Sequence, residues 1–204
     1  TGRAGEEAAS YENLFLRKEI AGFRTNIRRE QSCSIKSLTR DYLYKQLLSS
    51  GEYTFDHMLV IKDPYGEAPL TALALFILEE PACVRVTTKG NLKETDFVTE
   101  LPKKKEHRVP ILGMYAEKAN DIVIEILDDE GNCVKSHTFT IRTKRLPKSL
   151  RNVITVKKWT DKPAYSNIMI NGGVKIHTCV FDIEGKIRYY LSRKPRGYGI
   201  FPLS

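Results

Sequence analysis

The stretch Asp121-Ile122-Val123-Ile124-Glu125-Ile126-Leu127, then Asp128-Asp129-Glu130-Gly131-Asn132, then Val134-Lys135-Ser136-His137-Thr138-Phe139-Thr140-Ile141-Arg142 decides the fold. Apolar and polar residues alternate on both flanks, and the acidic, glycine-containing break between them is turn chemistry, so the segment reads as a β-hairpin. Working outward, the same period of two recurs in His57 to Lys62, Leu70 to Leu78, Cys83 to Lys89 and Asp96 to Leu101, all rich in Val, Ile, Thr and Phe. Several short strands with no helix between them predict an antiparallel β-sandwich over residues 56–145. Pro102-Lys103-Lys104-Lys105-Glu106 reads as a charged loop within it.

Before the strands the period is helical. Leu14, Leu16, Ile20, Phe23 and Ile27 predict an amphipathic helix from Ser10, a capping residue that forms a weak box with Asn13, to about Gln31. A second helix is expected from Ile35 to about Leu48, stopped by Gly51, so residues 1–55 form a helical extension with a face to bury on the sandwich or on a partner subunit. Tyr42 and Tyr44 with Arg40 and Lys45 make a small aromatic-basic patch on it.

After Arg142 the phrase Leu146-Pro147-Lys148-Ser149-Leu150 breaks the pattern and marks a linker. Beyond it Val153 to Lys158, Asn167 to Asn171, Ile176 to Asp182 and Ile187 to Leu191 read as short strands, the last two joined by a Glu184-Gly185 turn. Four strands and then Phe201-Pro202-Leu203-Ser204 suit the opening of a repeat architecture, so residues 146–204 are assigned as linker and the first strands of an incomplete β-propeller. The whole is mostly β.

Composition bounds the rest. With 204 residues, 41% of them hydrophobic, the chain can bury a good core, and no run of about 18 apolar residues is long enough to span a membrane. Thr1-Gly2-Arg3-Ala4-Gly5-Glu6-Glu7 has neither an initiator Met nor the apolar stretch of a signal peptide, which suggests a processed or incomplete start. Cys33, Cys83, Cys133 and Cys179 show no CxxC and no nearby His at ligand spacing, which argues against a zinc or redox site; no cofactor or metal is assigned. Cys83 and Cys133 are expected as small apolar strand residues. The net charge of +8 is concentrated from Arg142 onward, where 14 Lys and Arg face Asp161, Asp182 and Glu184. Without a nucleic-acid module or interleaved aromatics, this excess reads as a solvated face, and no nucleic-acid partner is assigned.

Two segments carry a resemblance. Asp63-Pro64-Tyr65-Gly66-Glu67-Ala68-Pro69-Leu70-Thr71-Ala72-Leu73 runs a turn into an apolar strand, with Pro64 biasing Asp63 toward an extended backbone; Val109-Pro110-Ile111-Leu112-Gly113-Met114-Tyr115, followed by Asn120, is punctuated like a strand at a sheet edge. Together they resemble the amino-terminal domain of the arylsulfate sulfotransferases, which pass a sulfuryl group between phenols without a nucleotide sulfate donor. Val180-Phe181-Asp182-Ile183-Glu184-Gly185-Lys186-Ile187-Arg188-Tyr189-Tyr190-Leu191 is similar to the strand-turn-strand that opens that family's propeller, with Tyr189 as the aromatic after the Arg. The likeness covers roughly Met58 to Leu203.

The resemblance implies an amino-terminal portion that supports and assembles a larger enzyme, near a homodimer contact and in a periplasmic or exported setting. It implies aryl sulfate and phenol as substrates, and a ping-pong route through a propeller histidine, flanked by groups that hold the sulfate oxygens. Nothing here matches the motif around that nucleophile, which is expected after Ser204. His177, among Lys175, Arg188 and Arg193, is the tempting alternative, but no orienting carboxylate stands near it in sequence, and His57, His107 and His137 carry no constellation; no catalytic residue is assigned. A stand-alone β-sandwich binding or adhesion module is the other reading.

Overall fold

The computed structural model describes residues 31–151, 154–155, 167–172, 177–192 and 198–203. The helix expected from Ser10 and most of the strand expected from Val153 lie outside these residues, and Ile154 and Thr155 are not in a strand. The described part is mostly β, with antiparallel sheets and one long helix, α1 (Gln31–Ser49), which ends before Gly51 at φ +73°. Strands β1 (Leu59–Lys62), β2 (Ala72–Thr88), β3 (Phe97–Ile111), β4 (Ala119–Leu127) and β5 (Cys133–Arg142) form one sheet. A second sheet has the order β8-β7-β6-β9, from β6 (Asn167–Gly172), β7 (Cys179–Asp182), β8 (Ile187–Tyr190) and β9 (Tyr198–Leu203).

Three expectations change. The strands expected at 70–78 and 83–89 are one strand, β2, and the supposed loop at 102–106 is the middle of β3, its partner. Between the pairs Ile77↔Glu106 and Ala82↔Lys104, β2 advances five residues while β3 advances two, so β2 bulges at Leu78–Pro81. A bulge of this kind bends and twists the pair without ending it. Lysines and prolines belong here because, among the described residues, β3 pairs on one side only, with β2, and charge and Pro are tolerated at such an edge. Residues 198–203, not expected as a strand, form β9, which pairs with β6.

β3 follows one edge of β2 along nearly its whole length, while β1 takes Ala72–Leu75 and β4 takes Cys83–Thr88 on the other. The even-numbered residues Ala72, Ala74, Phe76, Leu78, Val84 and Val86 enter the main core with Val109, Ile111, Ile122, Ile124 and Ile141. The odd-numbered Leu73 and Leu75 face the other way and pack under α1, against Tyr44, Leu48, Leu59 and Ile61. A strand covered on both faces needs a continuous apolar run, as Ala72-Leu73-Ala74-Leu75-Phe76-Ile77-Leu78 supplies. Past the bulge the odd face turns to solvent, where Arg85 sits opposite Glu100 and Glu125 and pairs with them at 2.8 and 3.8 Å.

Tyr44 anchors the helix to the first quoted turn. Its hydroxyl donates to the Pro64 carbonyl at 2.6 Å, and the Tyr65 ring meets it edge-on. Asp63 is not extended as its proline neighbour suggested: it sits at φ +48°, and its Oδ1 accepts the Ala68 N–H at 2.9 Å, a compensation available to Asp in the left-handed region. Burial pushes the Tyr44 phenol from the usual 10.0 up to about 12. The folded state therefore keeps this proton where the unfolded chain has lost it, so the stability is complete below pH 10.0 and is lost as pH rises through about 12. Tyr44→Phe is expected to cost about 1 kcal/mol in urea unfolding at neutral pH and to flatten the alkaline fall in stability. An unchanged alkaline slope would remove Tyr44 as its source.

Candidate functional site

The segment Val109–Tyr115 and the β7–β8 hairpin meet at one buried polar cluster. Asp182 and Arg188 are each about 1% exposed, yet both carry charge. Asp182 closes the β7–β8 turn: its Oδ1 accepts the Glu184 and Lys186 N–H groups, each at 3.0 Å. Its Oδ2 accepts the Tyr115 hydroxyl at 2.9 Å and Arg188 Nη1 at 3.2 Å. Every lone pair of the carboxylate is thus engaged, the condition for burying one.

Arg188 reaches across to the sandwich. Nε donates to the Gly113 carbonyl at 2.6 Å, and Nη1 is also within reach of the Thr95 carbonyl at 2.7 Å and Tyr115 Oη at 3.0 Å. The guanidinium carbon lies 3.9 Å from the centroid of the Tyr115 ring, a cation–π contact strengthened by exclusion of water. Nη2 alone has no hydrogen-bond partner among the described residues.

Each receiving group is held in turn. Tyr115 donates its N–H to Asn120 Oδ1 at 2.7 Å, and Asn120 Nδ2 returns a bond to the Tyr115 carbonyl at 3.0 Å, which explains the Asn that follows the tyrosine in the second quoted segment. Gly113 stands at φ +75°, and a Cβ there would meet Phe97 Cβ at 2.6 Å, so both backbone and space require glycine. The first quoted turn joins from another side, where the Ser192 N–H donates to the Glu67 carbonyl at 2.7 Å. Asn91 adds a bond from Nδ2 to Glu184 at 3.1 Å. Below these contacts Leu150, Cys179, Phe181, Ile187 and Tyr190 share one apolar cluster with the sandwich strands.

The histidines are dispersed. His57 is exposed, and His137 packs between Phe55 and Phe139. His107 is buried, stacked on Phe76 at 5.3 Å, with Nε2 donating to the Lys104 carbonyl at 2.9 Å; burial holds its pKa below the usual range. His177 is buried beside Tyr190 and donates Nδ1–H to the Leu191 carbonyl at 2.7 Å, a bond that joins the start of β7 to the end of β8. Lys175 and Arg193, its basic neighbours in sequence, lie outside the described residues.

Cys83, Cys133 and Cys179 are free thiols, and Cys133 is exposed rather than a packed strand residue. Among the described residues no group of His, Cys, Asp and Glu is arranged to hold a metal ion. No described helix is long and apolar enough to cross a membrane. In the aromatic-basic patch Tyr42 is exposed while Tyr44 is core. Arg188, counted in the basic tail as part of a solvated face, is instead an interior residue. Tyr115, held by Asn120, carries no local sequence mark of its contact with Asp182 and Arg188, because 73 residues separate Tyr115 from Arg188.

Residues 59–144 match the family described as the arylsulfotransferase Ig-like domain. Among curated proteins none matches the chain.

Removing one partner of a buried pair strands the other. Arg188→Met is expected to cost about 3–5 kcal/mol in urea unfolding, and adding Asp182→Asn should restore a substantial part of it. A loss below about 1 kcal/mol for the single variant would mean that the cluster does not hold the two sheets together.

Proposed function

We propose, from the premise that this chain carries the Ig-like domain of the arylsulfotransferases over residues 59–144, that it is the supporting and assembly portion of an enzyme transferring a sulfuryl group from a phenolic sulfate to an acceptor phenol. The family match is the observation that carries this reading. The domain division follows: a helical extension at 1–55, the sandwich at 56–145, and from 146 a linker with the first strands of a propeller. In this reading sulfuryl transfer runs on a propeller histidine of the intact enzyme, and none of His57, His107, His137 or His177 performs it.

The buried cluster supports this division of labour. Asp182 and Arg188 belong to the proposed first propeller hairpin, and Thr95, Gly113 and Tyr115 to the sandwich, so the sandwich fixes the direction in which the next sheet leaves it. Pairing of two subunits is part of the reading. Leu38 and Tyr42 of α1 are 67% and 63% exposed, on a face turned away from the buried Tyr44 and Leu48, which offers apolar surface for such a contact.

The alternative, a self-contained binding module, is favoured by one observation, the apolar cluster shared between sandwich strands and residues 177–192. Hydrogen exchange separates the two readings. Protection as strong in β6 and β9 as in β2 and β4 supports the module, while faster exchange in the second sheet supports a propeller portion. The enzymatic reading predicts no phenolate release from an aryl sulfate by the 204-residue chain, and release by a longer reading frame that contains it; a longer frame inert with every phenol offered would overturn it.

A further inference from the structure

β3 pairs with β2 and with no other strand among the described residues, so its outer edge offers unpaired backbone groups past the bend. Such an edge is a template for another strand, and what it accepts depends on its side chains. From Lys103 to Arg108 it presents Lys103, Lys104, Lys105 and Arg108 against Glu106 alone. Beside it lies a groove of about 660 Å³, lined by Lys45 and Leu48 of α1 and by Pro81, Leu101 and Pro102. That volume and mixed lining suit a short segment with an apolar anchor and polar contacts around it.

Some of the charge is already committed. Lys103 pairs with Asp129, and Arg108 with Asp41 at 2.5 Å. Lys45, Lys104 and Lys105 are exposed and form no ion pair among the described residues. A second copy brought edge to edge would set lysine against lysine, which disfavours self-pairing. An acidic strand would meet the opposite condition, with its carboxylates against free ammonium groups.

We propose that the outer edge of β3, with the groove beside Lys45, is a docking site for an extended acidic segment of another polypeptide, added to the sheet as a strand. Backbone bonds to the edge supply the register, the three free lysines select the sign of charge, and the groove takes one apolar side chain. This site is independent of sulfuryl transfer, so its failure leaves that reading untouched.

The test uses the full chain and a fluorescein-labelled peptide of roughly eight residues alternating Glu with Val. Anisotropy should report saturable binding that weakens with added salt, and the same peptide with Lys in place of Glu should not bind. The combined variant Lys45→Glu, Lys104→Glu, Lys105→Glu lies at exposed positions. It should keep the wild-type circular dichroism and lose about tenfold or more in affinity. A peptide N-methylated at alternate residues should bind about tenfold more weakly, because it cannot complete the strand ladder. Absence of binding, equal binding of the Lys peptide, an unaffected triple variant, or undiminished binding of the N-methylated peptide would each overturn the proposal.

Discussion

The described structure turns on a charged pair, Asp182 with Arg188, buried face to ring against Tyr115. Burying two charges costs several kcal/mol for each ion, and their attraction offsets this only when the surrounding groups complete the hydrogen bonding. That condition reaches far along the chain. It requires the Gly113 carbonyl to turn inward, hence a left-handed glycine; the Thr95 carbonyl to stand beside it, hence the tight loop in which the Gly90 N–H is held by Asp96 at 2.7 Å; and the Tyr115 backbone to be fixed, hence Asn120. With Nη2 unmatched, the pair is a weak source of net stability. Another orientation of the second sheet would leave the same charges buried without partners, so the pair disfavours it.

The second constraint is that β2 serves two layers. Its first half lies between α1 and the main core and is apolar on both sides, whereas its second half is apolar inward and carries the Arg85, Glu100 and Glu125 group outward. The change falls at the bulge after Ile77, where Glu79, Glu80 and Pro81 are exposed. One hairpin can thereby carry the helix on one part and β4 and β5 on the other.

Most of the strand content was legible because it rests on local pattern. The β4–β5 hairpin shows period-two alternation around Asp128, whose Oδ1 accepts the Glu130 and Asn132 N–H groups at 3.0 and 2.8 Å, a closure written in the turn residues themselves. The long β2–β3 hairpin was less legible, because Glu79-Glu80-Pro81 and Pro102-Lys103-Lys104-Lys105 look like breaks when read singly. Opposed across a bent edge, they are tolerated by a ladder that continues on either side. The buried cluster was legible only as separate motifs. An arginine followed by two tyrosines and a tyrosine followed by an asparagine carry no mark of their contact, since side chains 73 positions apart meet through tertiary packing.

Burial also fixes what the second sheet can do. A surface ion pair would let the β7–β8 hairpin tilt at little cost, because exposed pairs contribute roughly 0–1 kcal/mol. Arg188 instead engages the hairpin through Asp182 and the sandwich through Gly113 and Thr95, so tilting the hairpin breaks several buried bonds together. Among the described residues β8 and β9 are the outer strands of that sheet, and any strand added to either edge inherits the orientation set by the cluster. In the proposed enzyme, catalysis depends on side chains that converge from separate sheets to within fractions of an ångström. In that reading, a sandwich that fixes the first of those sheets through a buried pair contributes to the chemistry by positioning, at a distance from the reacting atoms.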